Sequence, residues 1–300
     1  MTLDYSWESL TRPGEATVYF AISNPAPLQI NSNNFNISNA WWLAEISRLI
    51  YHDNFYNDKN IDLGSFQYEK VGYINNKNTS TQAALLKVIQ DSPCLVIVFR
   101  GTDEIYDWNT NAHAYQMAFG EAGKVHNGFK KAYISIREEL FEHIKDNALP
   151  VFITGHSLGA ALATLAASEL YRNKHFDSCY AFGSPRIGNP EFIDSIKCEQ
   201  IYRVINNSDI VTTIPIDFTR TKYKHIGFPY LIDDKGELLE GMSEIEIYAY
   251  QKSKLQGLKE YAVLKIFNRD SKPFREDLPA FLADHAPVNY VLGMQKLIKV

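Results

Sequence analysis

Four short runs of this 300-residue chain are apolar almost without interruption: CLVIVF from Cys94, VFITG from Val151, SCYAF from Ser178 and IYRVI from Ile201. A strand buried on one face alternates polar and apolar residues; a run this continuous suits a strand covered on both faces, as in a parallel sheet. Helical segments separate the runs. Phe129, Ala132, Ile136, Leu140 and Ile144 recur at helical spacing before Val151, LGAALATLAASELYRN follows it, and SPRIGNPEFIDSIK holds one short helix. Strand and helix in regular alternation predict an α/β protein with a mostly parallel central sheet and helices on both faces.

The flanking regions read differently. The first 35 residues are rich in Asn, Pro and Ser and predict irregular chain ending in a helix N-cap. From Ala40 to His52 a packing helix is expected, with Trp42, Ile46, Leu49 and Ile50 on one face. FQYEKVGYINN and TQAALLKVIQ predict a hairpin or meander, and PYLIDDKGELLE predicts a second hairpin turning at DDKG. The stretch YQKSKLQGLKEYAVLKIF predicts a further helix that packs or covers part of the site, with Leu255, Leu258, Ala262 and Ile266 at near-helical spacing. No repeat or linker divides the chain, so a single domain over 1–300 is expected, with an N-terminal extension of about 1–38 and an insertion of about 230–279.

Charge and cysteine content narrow the function classes. A formal net charge of −5, without a basic cluster, argues against a nucleic-acid partner. Cys94, Cys179 and Cys198 are too few and too scattered for a disulfide framework or a zinc site, and buried free thiols are expected. The N-terminus shows no basic start followed by an apolar core, and no run is long enough to span a bilayer, so the expectation is a soluble, cytoplasmic protein.

The chemistry centres on Gly155-His156-Ser157-Leu158-Gly159, a G-x-S-x-G pattern where a strand hands over to a helix. Small flanking residues let the two arms of so tight a turn approach, and the central serine is pushed into a strained backbone conformation. A serine there either caps the helix or presents its hydroxyl for attack, with the Leu158 amide at the helix start as a donor to developing negative charge. An attacking serine needs a base and an orienting acid, which in this type of fold follow in the order Ser, Asp, His. Asp209 lies just past the end of a strand, the edge where open α/β sheets assemble their sites. Of the downstream histidines, His175 is about 27 Å along the serine's own helix at 1.5 Å per residue. His225 and His285 both remain open on spacing alone.

An ordered set of motifs resembles the class 3 lipase family typified by filamentous-fungal triacylglycerol lipases. It comprises VIVFRGT from Val96, DW at Asp107, VHNGF from Val125, GHSLGAALA from Gly155, FGSPRIGN from Phe182, VINNSDIVTTIP from Val204, HIG at His225 and DHAPVNY from Asp284. The resemblance implies an α/β-hydrolase fold with Ser157 as nucleophile, Asp209 as acid and His285 as base, His225 being structural. It implies an oxyanion hole of Thr102 and Leu158, and no metal or organic cofactor. The implied activity is hydrolysis of carboxylic esters, a triacylglycerol lipase first, with a lidless carboxylesterase, a phospholipase or a non-enzymatic lipase-like binding protein as alternatives. The partners are then a lipid or other ester substrate and a transient contact with a lipid surface. Two departures stand out. The lid-equivalent segment Asp103–Lys124 is polar with no clear apolar stripe, which favours the lidless reading, and the fungal disulfides are absent, which suggests a bacterial-type member.

Overall fold

The computed structural model describes residues 3–52, 55, 60–102, 115–120, 123–215, 222–254 and 278–298. The four apolar runs form its centre: β3 (Cys94–Phe99), β6 (Val151–His156), β7 (Phe176–Phe182) and β8 (Ile201–Asn206), side by side and parallel. β1 (Tyr68–Asn76) and β2 (Thr81–Val88) add the first hairpin antiparallel to β3. β9 (Phe228–Ile232) and β10 (Leu238–Glu240) form the second, but β9 also joins β8 in parallel, so this hairpin extends the main sheet. The eight strands lie in the order β1-β2-β3-β6-β7-β8-β9-β10.

Alternate residues of each central strand feed two apolar layers, as the two-residue period of a strand requires. Leu95, Ile97, Ile153 and Cys179 face α3 (Asn127–Ile144) and α4 (Leu158–Leu170). Val96, Val98, Phe152 and Val204 face α2 (Ile37–Leu49) and the C-terminal α8 (Pro287–Leu297). Cys94 and Cys179 are buried free thiols and Cys198 a partly buried one.

The expected helix 40–52 differs in start and environment. Its N-cap is Asn36, whose side chain accepts the Asn39 N–H, and every residue from Asn39 to Leu49 is buried. A single apolar stripe was the wrong picture because a second layer of chain covers the helix. Tyr19, Phe20 and Leu28 of the N-terminal segment lie in the same core, with Phe20 stacked on Phe66. Glu45 and Arg48 can therefore be buried: they bond each other, while Glu45 accepts the Phe20 N–H and Arg48 donates to the Val18 carbonyl. Earlier still, α1 (Trp7–Thr11) packs on α7 (Ala280–Ala283) through Leu10, Phe281 and Leu282.

β4 (Gln116–Ala118) and β5 (Lys124–His126) form a small separate sheet not foreseen from the sequence. Most of the segment read as a lid equivalent, 103–114 and 121–122, lies outside the described residues. The short α5 (Pro190–Ser195) is capped by Asn189. α6 (Glu244–Lys254) starts six residues before the helix expected at Tyr250, at an S-x-x-E capping box in which Ser243 N–H and hydroxyl donate to Glu246 and the Ser243 hydroxyl accepts the Glu246 N–H. The rest of that expected helix falls within 255–277, outside the described residues.

Candidate active site

The strand-to-helix turn is steric at its root. Ser157 sits between β6 and α4 at φ +60° and ψ −123°, a conformation that L residues rarely adopt and that costs on the order of 1–3 kcal/mol. Two glycines make the turn fit. A methyl group on Gly155 would meet the Gly159 carbonyl carbon at 2.3 Å, and one on Gly159 would meet the Phe99 carbonyl oxygen of β3 at 2.1 Å. Backbone atoms cannot yield as a side chain can, so α4 reaches this close to β3 only with glycine at position 159.

The cap alternative for Ser157 does not hold, because its side chain makes no capping hydrogen bond to α4. Its Oγ lies 2.9 Å from His285 Nε2, and His285 Nδ1 lies 2.8 Å from Asp209 Oδ2. Asp209 also accepts the Tyr290 hydroxyl at Oδ2 and the Val211 N–H at Oδ1, 2.8 Å away. A carboxylate only accepts, so His285 Nδ1 carries the proton and Nε2 is left with a lone pair for the serine hydroxyl. All three side chains are buried. Asp209 is thus not the solvated turn residue that its Asn-Asn-Ser neighbours suggest.

His225, the other histidine left open, is held elsewhere. Its Nε2 is 2.9 Å from the Thr212 carbonyl, and burial, with Arg203 and Arg186 nearby, depresses its pKa well below the ordinary histidine value. Residues 207–209 follow the end of β8 and residues 284–286 join α7 to α8, and the Asn206 side-chain amide donates to the Asp284 carbonyl, so Asp209 and His285 meet at the end of β8.

Several supporting residues carried no role in the sequence reading. Gly183, at φ +59°, lies so close to Asp209 and His285 that a methyl group there would meet Asp209 Oδ2 at 2.9 Å and the His285 ring at 3.1 Å. Tyr290 joins Asp209 to the β8 backbone, since its hydroxyl accepts the Asn206 N–H while donating to the carboxylate. Burial, and next the Asp209 charge, raise its pKa well above the usual phenol value, so it stays a donor. Gln251 of α6 donates to Thr212 Oγ1 and to the Asp209 carbonyl, bracing the Asp209 turn from α6. His156, inside the strand-to-helix turn, pins the His285 backbone. Its Nε2 donates to the His285 carbonyl at 2.8 Å and its Nδ1 accepts the Tyr51 hydroxyl at 2.9 Å. Burial first, and the neighbouring His285 next, hold its pKa well below normal, which fixes this neutral tautomer.

Leu158 is the first residue of α4, where a helix leaves its N–H groups without intrahelical carbonyl partners. Thr102 is half-buried beyond the end of β3, next to Gly101, where a methyl group would lie 2.7 Å from the His156 carbonyl oxygen. Both oxyanion candidates thereby border the elbow.

A strained serine at the end of a parallel strand, met by a histidine and an aspartate from loops at the same sheet edge, defines an α/β-hydrolase. The chain matches the family model Lipase (class 3) over residues 96–219. It is 31% identical over 142 residues to the secreted mono- and diacylglycerol lipase MDL3 of Malassezia globosa, covering 40% of this chain and 46% of that protein. It is 33% identical over 149 residues to the chloroplastic phospholipase A(1) DAD1 of Arabidopsis thaliana, covering 40% and 33%. Among solved structures, lipase II from Rhizopus niveus superposes with a TM-score of 0.55 at 25% identity, over 63% of this chain and 76% of that one. The chain spans about a third to three fifths of the length of the curated relatives it matches. These relatives correct two expectations. They are fungal and plant proteins, which does not bear out a bacterial type, and relatives named as secreted, the Malassezia lipase among them, overturn the cytoplasmic expectation.

Proposed function

We propose that the protein is a serine hydrolase of carboxylic esters, a lipase that cleaves acylglycerols through an acyl-enzyme on Ser157, built as one α/β-hydrolase domain with an N-terminal extension and an insertion. One observation carries the reading: the continuous chain from Ser157 Oγ through His285 to Asp209, at a turn whose strain is maintained by Gly155 and Gly159. His285 takes the Ser157 proton as Oγ attacks the ester carbonyl, and returns it to the leaving alcohol. Water then repeats the sequence to release the acid. Asp209 holds the imidazole tautomer, and the Leu158 and Thr102 amides stabilise the tetrahedral oxyanion.

The acylglycerol substrate is supported by likeness to lipases of Malassezia and Rhizopus. Such a substrate brings the protein into transient contact with a lipid surface. A phospholipase A1 is the second reading, favoured by the 33% identity to the Arabidopsis enzyme. Turnover of a nitrophenyl ester is expected to fall by at least about 1,000-fold in Ser157→Ala and in His285→Ala, with the melting temperature kept. Substantial activity remaining in both variants contradicts the assignment. A panel of triacylglycerol, diacylglycerol and phosphatidylcholine, with Ser157→Ala as control, separates the two substrate readings.

A further inference from the structure

Acid and base stand on two segments that meet only in the fold: the turn after β8, with Asn207, Ser208 and Asp209, and the junction of α7 and α8, with Asp284 and His285. One side chain joins them. Asp284 is fully buried, and its Oδ2 accepts the Ser208 hydroxyl at 2.6 Å, the Ser208 N–H at 3.0 Å and the Asn207 side-chain amide at 3.0 Å. Its backbone carbonyl accepts the Asn206 side-chain amide at 2.9 Å. Among the described residues, Asp284 Oδ1 is buried with no hydrogen-bond partner. Three donors converging on one oxygen suit a carboxylate, which accepts and never donates. A neutral acid would carry its proton on Oδ1, where no acceptor meets it, and the three bonds to Oδ2 would lose their charge assistance.

We propose that Asp284 is a positioning residue for the hydrolytic site, a tether that draws the Asp209 turn onto the His285 segment and holds the two in register only while it is ionised. The inference rests on the reading of Ser157, His285 and Asp209 given above. Asp284 does not touch the reacting atoms and acts through the residues on either side of it.

The surroundings set when the tether forms. Facing Asp284 among the described residues are Asp209 from the turn, Tyr5 from the N-terminal segment, Tyr250 from α6 and Tyr290 from α8. No permanent cation is in this set. Burial pushes the Asp284 carboxyl up to about 7; the Ser208 bonds oppose that rise, and the Asp209 charge adds to it. A carboxyl raised on folding stabilises the fold fully below its unfolded value, near pH 4, and that stability is lost as pH rises through about 7. The ionised tether is therefore maintained at a cost to the fold. A residue kept only for stability would have the opposite signature.

Asp284→Asn keeps the shape and an acceptor for Ser208 but cannot ionise. The test measures kcat and KM for a nitrophenyl ester between pH 5 and 9, with melting temperatures at the same pH values. At pH 8 the variant is expected to lose about 10-fold in kcat with KM within about twofold, and to melt no lower than the parent protein. On the acid side, the rise of kcat/KM is expected to be steeper than one proton in the parent and a single-proton curve in the variant. Ser208→Ala, which removes the shortest donor, should lower kcat in the same direction by less. An unchanged kcat and pH slope in Asp284→Asn overturns the inference, as does a loss of activity matched by a fall in melting temperature at pH 8. Absence of ester turnover in the parent protein removes the hydrolase reading itself, an outcome distinct from either.

Discussion

The two halves of the site are built by different physics. On the Ser157 side, β6, Ser157 and α4 are contiguous, and the serine is aimed by the close approach of Gly155 to Gly159 and of Gly159 to the end of β3. On the other side, Asp209 and His285 are 76 residues apart in the chain and are aimed by hydrogen bonds from Tyr290, Val211, His156 and the proposed Asp284 tether. Steric aiming is all or nothing, because backbone atoms have nowhere to go. Polar aiming is divided over several bonds, so each loss should be partial and separable.

The largest effect is expected from breaking the steric half. Gly159→Ala sets a methyl group 2.1 Å from the Phe99 carbonyl oxygen, and α4 must shift away from β3. Ester turnover should drop by at least about 100-fold with a lower melting temperature, since misplacement by about 1 Å at a reacting group costs that much. A Gly159→Ala protein with parent-like kcat would show that the contact is soft. A smaller effect is expected in the polar half. Tyr290→Phe removes one donor from Asp209 and leaves its bonds to Val211 and His285. A loss of roughly 10-fold in kcat with little change in KM is expected, in keeping with one hydrogen bond to a charged group. If the tyrosine variant proves as damaged as the glycine one, the contrast between the halves fails.

The same contrast explains what the sequence disclosed. The elbow was legible because everything it needs lies within residues 151–167: an apolar run, small residues at the right offsets and a helix behind them. The central strands were legible for the same reason, as burial on both faces leaves an unbroken apolar run. The choice between His225 and His285 was not settled by spacing and came from the resemblance of DHAPVNY to the family's terminal motif. Gly183 and Asp284 lie inside the motifs FGSPRIGN and DHAPVNY and Gln251 inside an expected helix, but no role for any of them was legible there, since a glycine before a serine, a glutamine in a polar helix and an aspartate before a histidine are ordinary in sequence. Their roles exist only because β7, α6 and the α7–α8 junction converge on one turn. The all-round burial of α2 escaped for a related reason: the polar N-terminal segment gave no sign that Tyr19, Phe20 and Leu28 would cover it.

The central claim is that Ser157 is a nucleophile activated by His285. Phosphonylation by a fluorophosphonate tests it directly, because the serine oxygen displaces fluoride from phosphorus and the adduct can be mapped by peptide mass spectrometry. The account predicts one adduct, on the peptide that contains Ser157, formed at least about 100-fold more slowly in His285→Ala. An unlabelled Ser157, or labelling at an undiminished rate without His285, would contradict it.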